Sequence, residues 1–246
     1  PATFDPLQIW GSGPNDIYIV NNDTPNVLHS VGGGSWSAFT IPNFSGNSAS
    51  SVWGTSATNV FFGASFDVIE QYKGSNMFSA NDCGVATNQT YLAVMGDPTG
   101  TDVFAISTNG RMCFSGTMPI VFNNIGGLPS TSTNVALWIN ATTDGYVIGN
   151  HFDSSTSMYV NDMAHWNGSQ WTQQTPPPFT GRMRAIYGFG PSAVYVVGDN
   201  AQIASYNGSM WTVATVPPAN GLQLFSVWGT DPQHLYVGGL GIIRSH

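Results

Sequence analysis

Six times along the chain, an alternating strand pattern ends on a large residue, crosses a short turn and resumes in a second strand centred on an aromatic. The strand-ending residues are Trp10, Trp53, Met95, Trp138, Tyr187 and Trp228, separated by 43, 42, 43, 49 and 41 positions. The second-strand aromatics are Tyr18, Phe61, Phe104, Tyr146, Tyr195 and Tyr236, nine positions later in the third copy and eight in the others. A period of roughly 42 residues predicts a repeat architecture, and its length suits a four-stranded propeller blade. The expected fold is therefore all-β: one six-bladed β-propeller domain over residues 1–246. Its blades are expected at 7–48, 49–90, 91–133, 134–183, 184–223 and 224–246, the last completed by residues 1–6.

In the first strand of each copy an aliphatic precedes the large residue: Ile9, Val52, Val94, Leu137, Ile186 and Val227. Neighbouring side chains on a strand point to opposite faces, so both faces are apolar and each sheet is expected to lie between two others. The third and fourth strands are clearest in copies four and five, where an aromatic, Asn-Gly-Ser, a variable residue and Trp recur at 166–171 and 206–211. Asn-Gly between strands predicts a tight hairpin in which both turn residues take positive φ. This accounts for Asn167 and Asn207 as turn residues, although each also opens an Asn-x-Ser triplet. Copy six stops after its third strand, and Pro1–Pro6 precede the first repeat as a spare strand. Closure by that strand would remove an open sheet edge.

Composition narrows the function classes. Only 7% of residues are charged, against roughly a quarter in ordinary globular chains, with one lysine (Lys73) and one glutamate (Glu70). Net charge is −8 and the four arginines are scattered, so no basic stripe exists to neutralise phosphates and nucleic acid is not an expected partner. No run of 18 apolar residues is present, so no membrane-spanning helix is expected. The chain begins at Pro1 without Met, which reads as a mature or trimmed form. A polar, uncharged surface with few basic residues points to a secreted or cell-surface setting. In that compartment Cys83 and Cys113, on strands of adjacent copies, are expected to form a disulfide.

The connections carry the functional signal. The 49-residue spacing of copy four comes from an insertion at 150–162, and the strand two-to-three connections elsewhere begin near Asn22, Ser65, Thr108, Asp199 and Leu240. Long loops on a rigid frame are disproportionately functional. The ligand site is therefore expected on that rim, near copies four and five, with Asn150, His151, Asp153, Asp162, Asp199 and Asn200 as polar contacts. The Pro-rich 175–184 segment with Arg182 and Arg184 adjoins it. Trp171 and Trp211, which open fourth strands, are candidates for stacking on a sugar, though their fixed repeat position fits blade packing as well. Asp16, Asn59, Asp102 and Asp144 stand two positions before the second-strand aromatic and are read as turn-forming Asx residues rather than a metal ring. No cofactor is expected. A Ca²⁺ site would have to gather Asp23, Asp67, Asp153, Asp162 and Asp199, and no contiguous calcium-loop pattern is present. The five histidines show no metal-ligand spacing, and no nucleophile elbow, zinc-protease helix or phosphate loop occurs.

The segments 51–64 (SVWGTSATNVFFGA), 185–199 (AIYGFGPSAVYVVGD) and 226–239 (SVWGTDPQHLYVGG) resemble W-G…[ND]-[VI]-[YF]…NG-S-x-W propeller repeats of secreted and surface bacterial proteins. More distantly, the copies look like the repeated-blade lectins of the tachylectin and Photorhabdus types. The resemblance covers nearly the whole chain and implies a propeller. With the polar surface and missing catalytic motifs, it leads to the expectation of a secreted, non-enzymatic module for glycan or extracellular-matrix recognition, its partner a glycan or an extracellular protein. The alternatives are a self-associating structural subunit of an extracellular fibre or surface assembly, and a hydrolase or lyase whose site is built from loops.

Overall fold

The computed structural model describes residues 5–22, 26–42, 48–65, 68–75, 78–81, 90–107, 112–115, 123–124, 128, 132–217, 221–240 and 242–245. The chain forms two compact units, residues 1–125 and 126–246.

The first unit holds three four-stranded sheets: β1 (Pro6–Gly13), β2 (Asp16–Asn21), β3 (Val27–Ser30) and β4 (Ser37–Ala38); β5 (Ala49–Ser56), β6 (Asn59–Ala64), β7 (Ile69–Tyr72) and β8 (Phe78–Asn81); and β9 (Tyr91–Gly96), β10 (Val103–Ser107), β11 (Met112–Ser115) and β12 (Asn123–Asn124). The second unit holds β13 (Thr133–Ala141), β14 (Asp144–Asp153), β15 (Met158–Trp166) and β16 (Trp171–Gln174). These are followed by β17 (Met183–Gly190), β18 (Ala193–Gly198), β19 (Gln202–Tyr206) and β20 (Trp211–Thr215), then by β21 (Leu224–Asp231), β22 (His234–Gly239) and β23 (Ile242–Ser245). Every sheet runs in simple up-and-down order.

The repeat seen in the sequence is a pairing rule. Trp10 lies opposite Tyr18, Trp53 opposite Phe61, Met95 opposite Phe104, Trp138 opposite Tyr146, Tyr187 opposite Tyr195 and Trp228 opposite Tyr236. The eight-residue offset is thus the length of a hairpin with its large residues cross-paired, the pairing that stabilises a sheet face. Val52, Val94, Leu137, Ile186 and Val227 are buried on the other face, as expected, whereas Ile9 is 62% exposed.

Within each unit the glycine after the large residue makes room for the preceding sheet. A methyl on Gly54 would meet the Trp10 ring at 2.9 Å, one on Gly96 the Trp53 ring at 2.6 Å, and one on Gly188 the Trp138 ring at 2.6 Å. At Gly229 the neighbour is Phe189, at 2.7 Å, and the Tyr187 hydroxyl donates to the Gly229 carbonyl at 3.2 Å. The Trp-Gly dipeptide is therefore both knob and socket. Apolar clusters fill the same seams: Tyr18, Val27, Val52 and Phe62 between the first two sheets, and Val197, Leu224, Leu235 and Val237 between the last two.

Three expectations need correcting. Residues 5 and 6 belong to the first sheet, not the sixth: Pro6 lies opposite Asn21, and the Asn22 N–H donates to the Asp5 carbonyl at 3.3 Å. Residues 1–4 lie outside the described residues, and among the described residues the sixth sheet has three strands. The Asn-Gly hairpins do not place both residues at positive φ; Gly168 and Gly208, each at 93°, do so alone. Asn167 and Asn207 act through their side chains, each Oδ1 accepting from two backbone N–H groups two and three residues on, all at 3.0 Å. Such an Asx turn closes the hairpin without a left-handed asparagine. The insertion at 150–162, finally, is not a loop. It is an extension of β14 and β15 into a long hairpin that turns at 154–157. Cys113 is buried in β11 and is not a free thiol; Cys83, its expected partner, lies outside the described residues.

Candidate functional site

The end of the β14–β15 hairpin carries the features of a site. Its register pairs Asn150 with Asn161, His151 with Val160, Phe152 with Tyr159 and Asp153 with Met158. Strand alternation then sorts the side chains. One face presents Asn150, Phe152, Tyr159 and Asn161; the other presents His151, Asp153, Met158, Val160 and Asp162.

On the first face the hairpin is fastened to the next sheet. Asn161 accepts from the Met183 N–H at 3.0 Å and donates to the Gly181 carbonyl at 2.9 Å, while the buried Asn150 Nδ2 donates to the Met183 carbonyl at 3.4 Å. Asn150 is thereby a structural clamp and not an exposed ligand contact. Beyond this clamp Phe152 and Tyr159 meet edge to face at 5.5 Å, and the Arg182 guanidinium carbon sits 4.9 Å over the Tyr159 ring. Phe152 is 55% exposed and Tyr159 51%.

Arg182 and Arg184 share one carboxylate. Asp199 accepts from the Arg182 Nε at 3.2 Å, from the Arg184 Nε at 2.5 Å and from the Arg182 backbone N–H at 3.2 Å. Burial pushes its carboxyl upward, but these three donors outweigh that and hold it below the usual carboxylate range. Arg184 in turn stacks 4.9 Å over Phe225, itself exposed. Asn200, in a short turn after β18 with φ of 59°, is exposed and donates to the Thr180 hydroxyl at 3.2 Å.

On the opposite face His151 Nδ1 lies 2.7 Å from Asp162 Oδ2, and the buried Ser132 hydroxyl donates to the same oxygen at 2.6 Å. The carboxylate stands between serine and imidazole, so the Ser132 hydroxyl is spent on Asp162 and this trio lacks the nucleophile–base contact of acyl-transfer chemistry. Asp153 caps the hairpin turn: Ser155 donates to it from its N–H at 2.9 Å and its hydroxyl at 2.7 Å, and Thr156 from its hydroxyl at 2.9 Å. Those bonds lower its pKa. Among the described residues no three His, Cys, Asp or Glu side chains gather as a cation set; Asp23 and Asp67 lie outside the described residues.

The structure separates the polar candidates from the tryptophans. Trp171 lies opposite Trp166, which lies beside Gly145, eight residues along β14 from Asp153, or roughly 27 Å at strand rise. Trp211 pairs with Tyr206, at the far end of β19 from Gln202 and so from Asn200. Both are half-buried and packed, Trp171 on Trp166 at 5.6 Å and Trp211 on Tyr206 at 5.0 Å. They serve the blade framework and do not join the rim.

The recurrent Asx positions have a role the sequence only half disclosed. Asp16 lies 2.8 Å from His29 Nε2, Asp144 lies 2.8 Å from His165 Nε2, and Asn59 accepts from Gln71 Nε2 at 2.8 Å. Each partner sits on the third strand opposite the second-strand aromatic, and in two copies the imidazole packs on that ring: His29 stacked on Tyr18 at 4.2 Å and His165 tilted against Tyr146 at 4.6 Å. Burial first, then Tyr206 and Asp144, push the Tyr146 hydroxyl up to about 12. These groups lock strand two to strand three.

The exposed side chains Phe152, Met158, Tyr159 and Val160 were not among the sequence candidates. Their signal was present, because the alternation of β14 and β15 runs on through the insertion and places apolar residues where the blade has no core to fill.

No known protein family matches the chain, and neither does any curated protein. Solved structures do. YCF48 bound to D1 peptide matches with a TM-score of 0.69 at 12% identity, over 97% of this chain and 76% of that one. YCF48 from Cyanidioschyzon merolae gives 0.67 at 14% identity, over 100% and 86%. The WD40 domain of Neurospora crassa Pan2 gives 0.64 at 10%, over 94% and 71%. At these identities the likeness shows the fold alone. The chain is an all-β protein with several propeller-type four-stranded sheets, and no family match supports the lectin resemblance or the bacterial repeat family.

Proposed function

We propose that the chain is a non-enzymatic recognition module, secreted or displayed at a cell surface, that binds an extracellular protein through the end of the β14–β15 hairpin. The observation that carries this reading is the exposed pair Phe152 and Tyr159 on one face of an extension clamped from below, with Arg182 stacked on Tyr159 and with Met158 and Val160 exposed on the opposite face. Tyrosine and arginine on a rigid support, surrounded by apolar area, are the composition of interface hot spots. One structural neighbour is bound to a peptide, which is consistent with a protein ligand. A glycan is the less favoured ligand, because the tryptophans expected to stack on sugar belong to the framework.

The test screens the purified protein and its Phe152→Ser/Tyr159→Ser variant against an array of secreted and surface ectodomains and a glycan array. Retention on ectodomains, reduced at least tenfold by the double substitution, is the expected result. Equal retention of both proteins, or a signal confined to glycans, sinks the reading.

A second reading, a self-associating assembly subunit, is favoured by the sixth sheet. Trp228 and Tyr236 stack at 6.1 Å yet are 54% and 41% exposed, whereas their counterparts Trp138 and Tyr146 are buried. Sedimentation velocity over a hundredfold concentration range is expected to show association that Trp228→Ser abolishes. A monomer throughout rejects this reading.

A further inference from the structure

The outer half of β15 lacks a strand on one side. Every residue of β15 from Met158 to Trp166 pairs with β14, but β16 covers only Met163–Trp166 on the other side. The cause is written in the sequence. After Gln174 the chain continues Thr175-Pro176-Pro177-Pro178, and three prolines in succession supply no N–H to extend a ladder. The Phe179 N–H bonds back to the Pro177 carbonyl at 2.7 Å, and Pro177 is buried, so the segment turns inward at that point. Among the described residues no other backbone group bonds to the backbone of Met158–Asp162; Gly181 and Met183 reach only the Asn161 side chain. An open edge is usually blunted by lysine, proline or a bulge; this one carries Met158, Tyr159 and Val160, all exposed.

We infer that the edge of β15 at Met158–Asp162 receives an extended peptide segment of a partner protein as an added strand, with a peptide carboxylate held by Arg182. This rests on the recognition reading above and specifies its mode. Backbone groups on an open edge select an extended chain, and side chains at alternate positions select its sequence. On the Tyr159 face the neighbour is Arg182, whose Nε is engaged by Asp199 and whose Nη groups have no acceptor among the described residues. An acidic residue of the added strand is complementary there. On the other face Met158 and Val160 favour apolar residues. The fitting ligand therefore alternates apolar residues with a central acidic one.

The probe is a fluorescent, acetylated seven-residue peptide with valine at alternate positions, a single central glutamate and threonine elsewhere. It is compared with the glutamate-to-glutamine peptide and with two versions N-methylated at odd or at even positions. Fluorescence anisotropy is expected to show saturable binding. One N-methylated phase should bind like the parent and the other at least tenfold more weakly, because only one set of N–H groups faces β15. The glutamine peptide should bind about fivefold more weakly to the wild type but equally well to Arg182→Gln. No saturable binding, or equal loss from both N-methyl phases, overturns strand addition. If ectodomain retention still depends on Phe152 and Tyr159, the recognition reading survives that failure.

Discussion

Replacing Trp138 by alanine is expected to cost about 3–5 kcal/mol, the range for emptying a large aromatic site in a core. The ring is 3% exposed, lies across from Tyr146 and fills the space left open by Gly188. The same truncation at Trp228, which occupies the equivalent repeat position but is half exposed, should cost roughly 1 kcal/mol, since less area leaves water. Gly188→Val should approach the Trp138 loss from the other side of the contact, because its first carbon would sit 2.6 Å from the indole and neither backbone nor ring has room to yield. Urea denaturation followed by circular dichroism gives the comparison. Equal losses at Trp138 and Trp228 would show that the knob-and-socket contact does not carry the seam.

The sequence displayed this contact because it repeats. Trp-Gly recurs with its aromatic eight residues on, and both spacings became cross-strand pairs, so periodicity reported register directly. What it could not display is where a strand ends. Asn150 sits at the nominal end of β14, yet the alternation of Phe152 and Tyr159 runs beyond it, and only pairing shows that the insertion is a ladder. Nor does spacing separate a clamp from a ligand contact. Asn150, His151, Asp153, Asp162 and Asp199 all read as polar rim residues, but four of them spend their side chains on Met183, Asp162, the 154–157 turn and two arginines, and Asp162 joins His151 to Ser132. Their chemistry is internal, which is why the proposed recognition surface rests on the exposed apolar residues between them.

Asp199 gives the second large effect, and it is dependent on pH. Asp199→Asn keeps the shape of the carboxylate but leaves Arg182 and Arg184 facing each other without an anion, on side chains that are 28% and 15% exposed. Breaking such a pair costs about 3–5 kcal/mol when fully buried, and partial solvation here brings the expected loss to roughly 2 kcal/mol at neutral pH. Burial opposes ionisation of Asp199, but the bonds from Arg184 and Arg182 prevail and its folded pKa lies below the ordinary 3.8. A depressed carboxylate stabilises the fold above its unfolded pKa and loses that contribution as pH falls through the folded value. The difference between wild type and Asp199→Asn should therefore be constant above about pH 5 and shrink as the pH drops below 3.8 toward the folded value. Asp102 titrates in the opposite sense, since burial and then Asp97 raise its pKa, so the wild-type curve alone does not isolate Asp199 and the paired difference does. Thermal melts of both proteins from pH 7 to pH 2.5 provide that difference. A gap that stays constant through pH 3 would mean that Asp199 is not held ionised by its two arginines. Arg182 and Arg184 would then keep their charges without sharing them with Asp199, and the stacking on Tyr159 would have to hold Arg182 in place by itself.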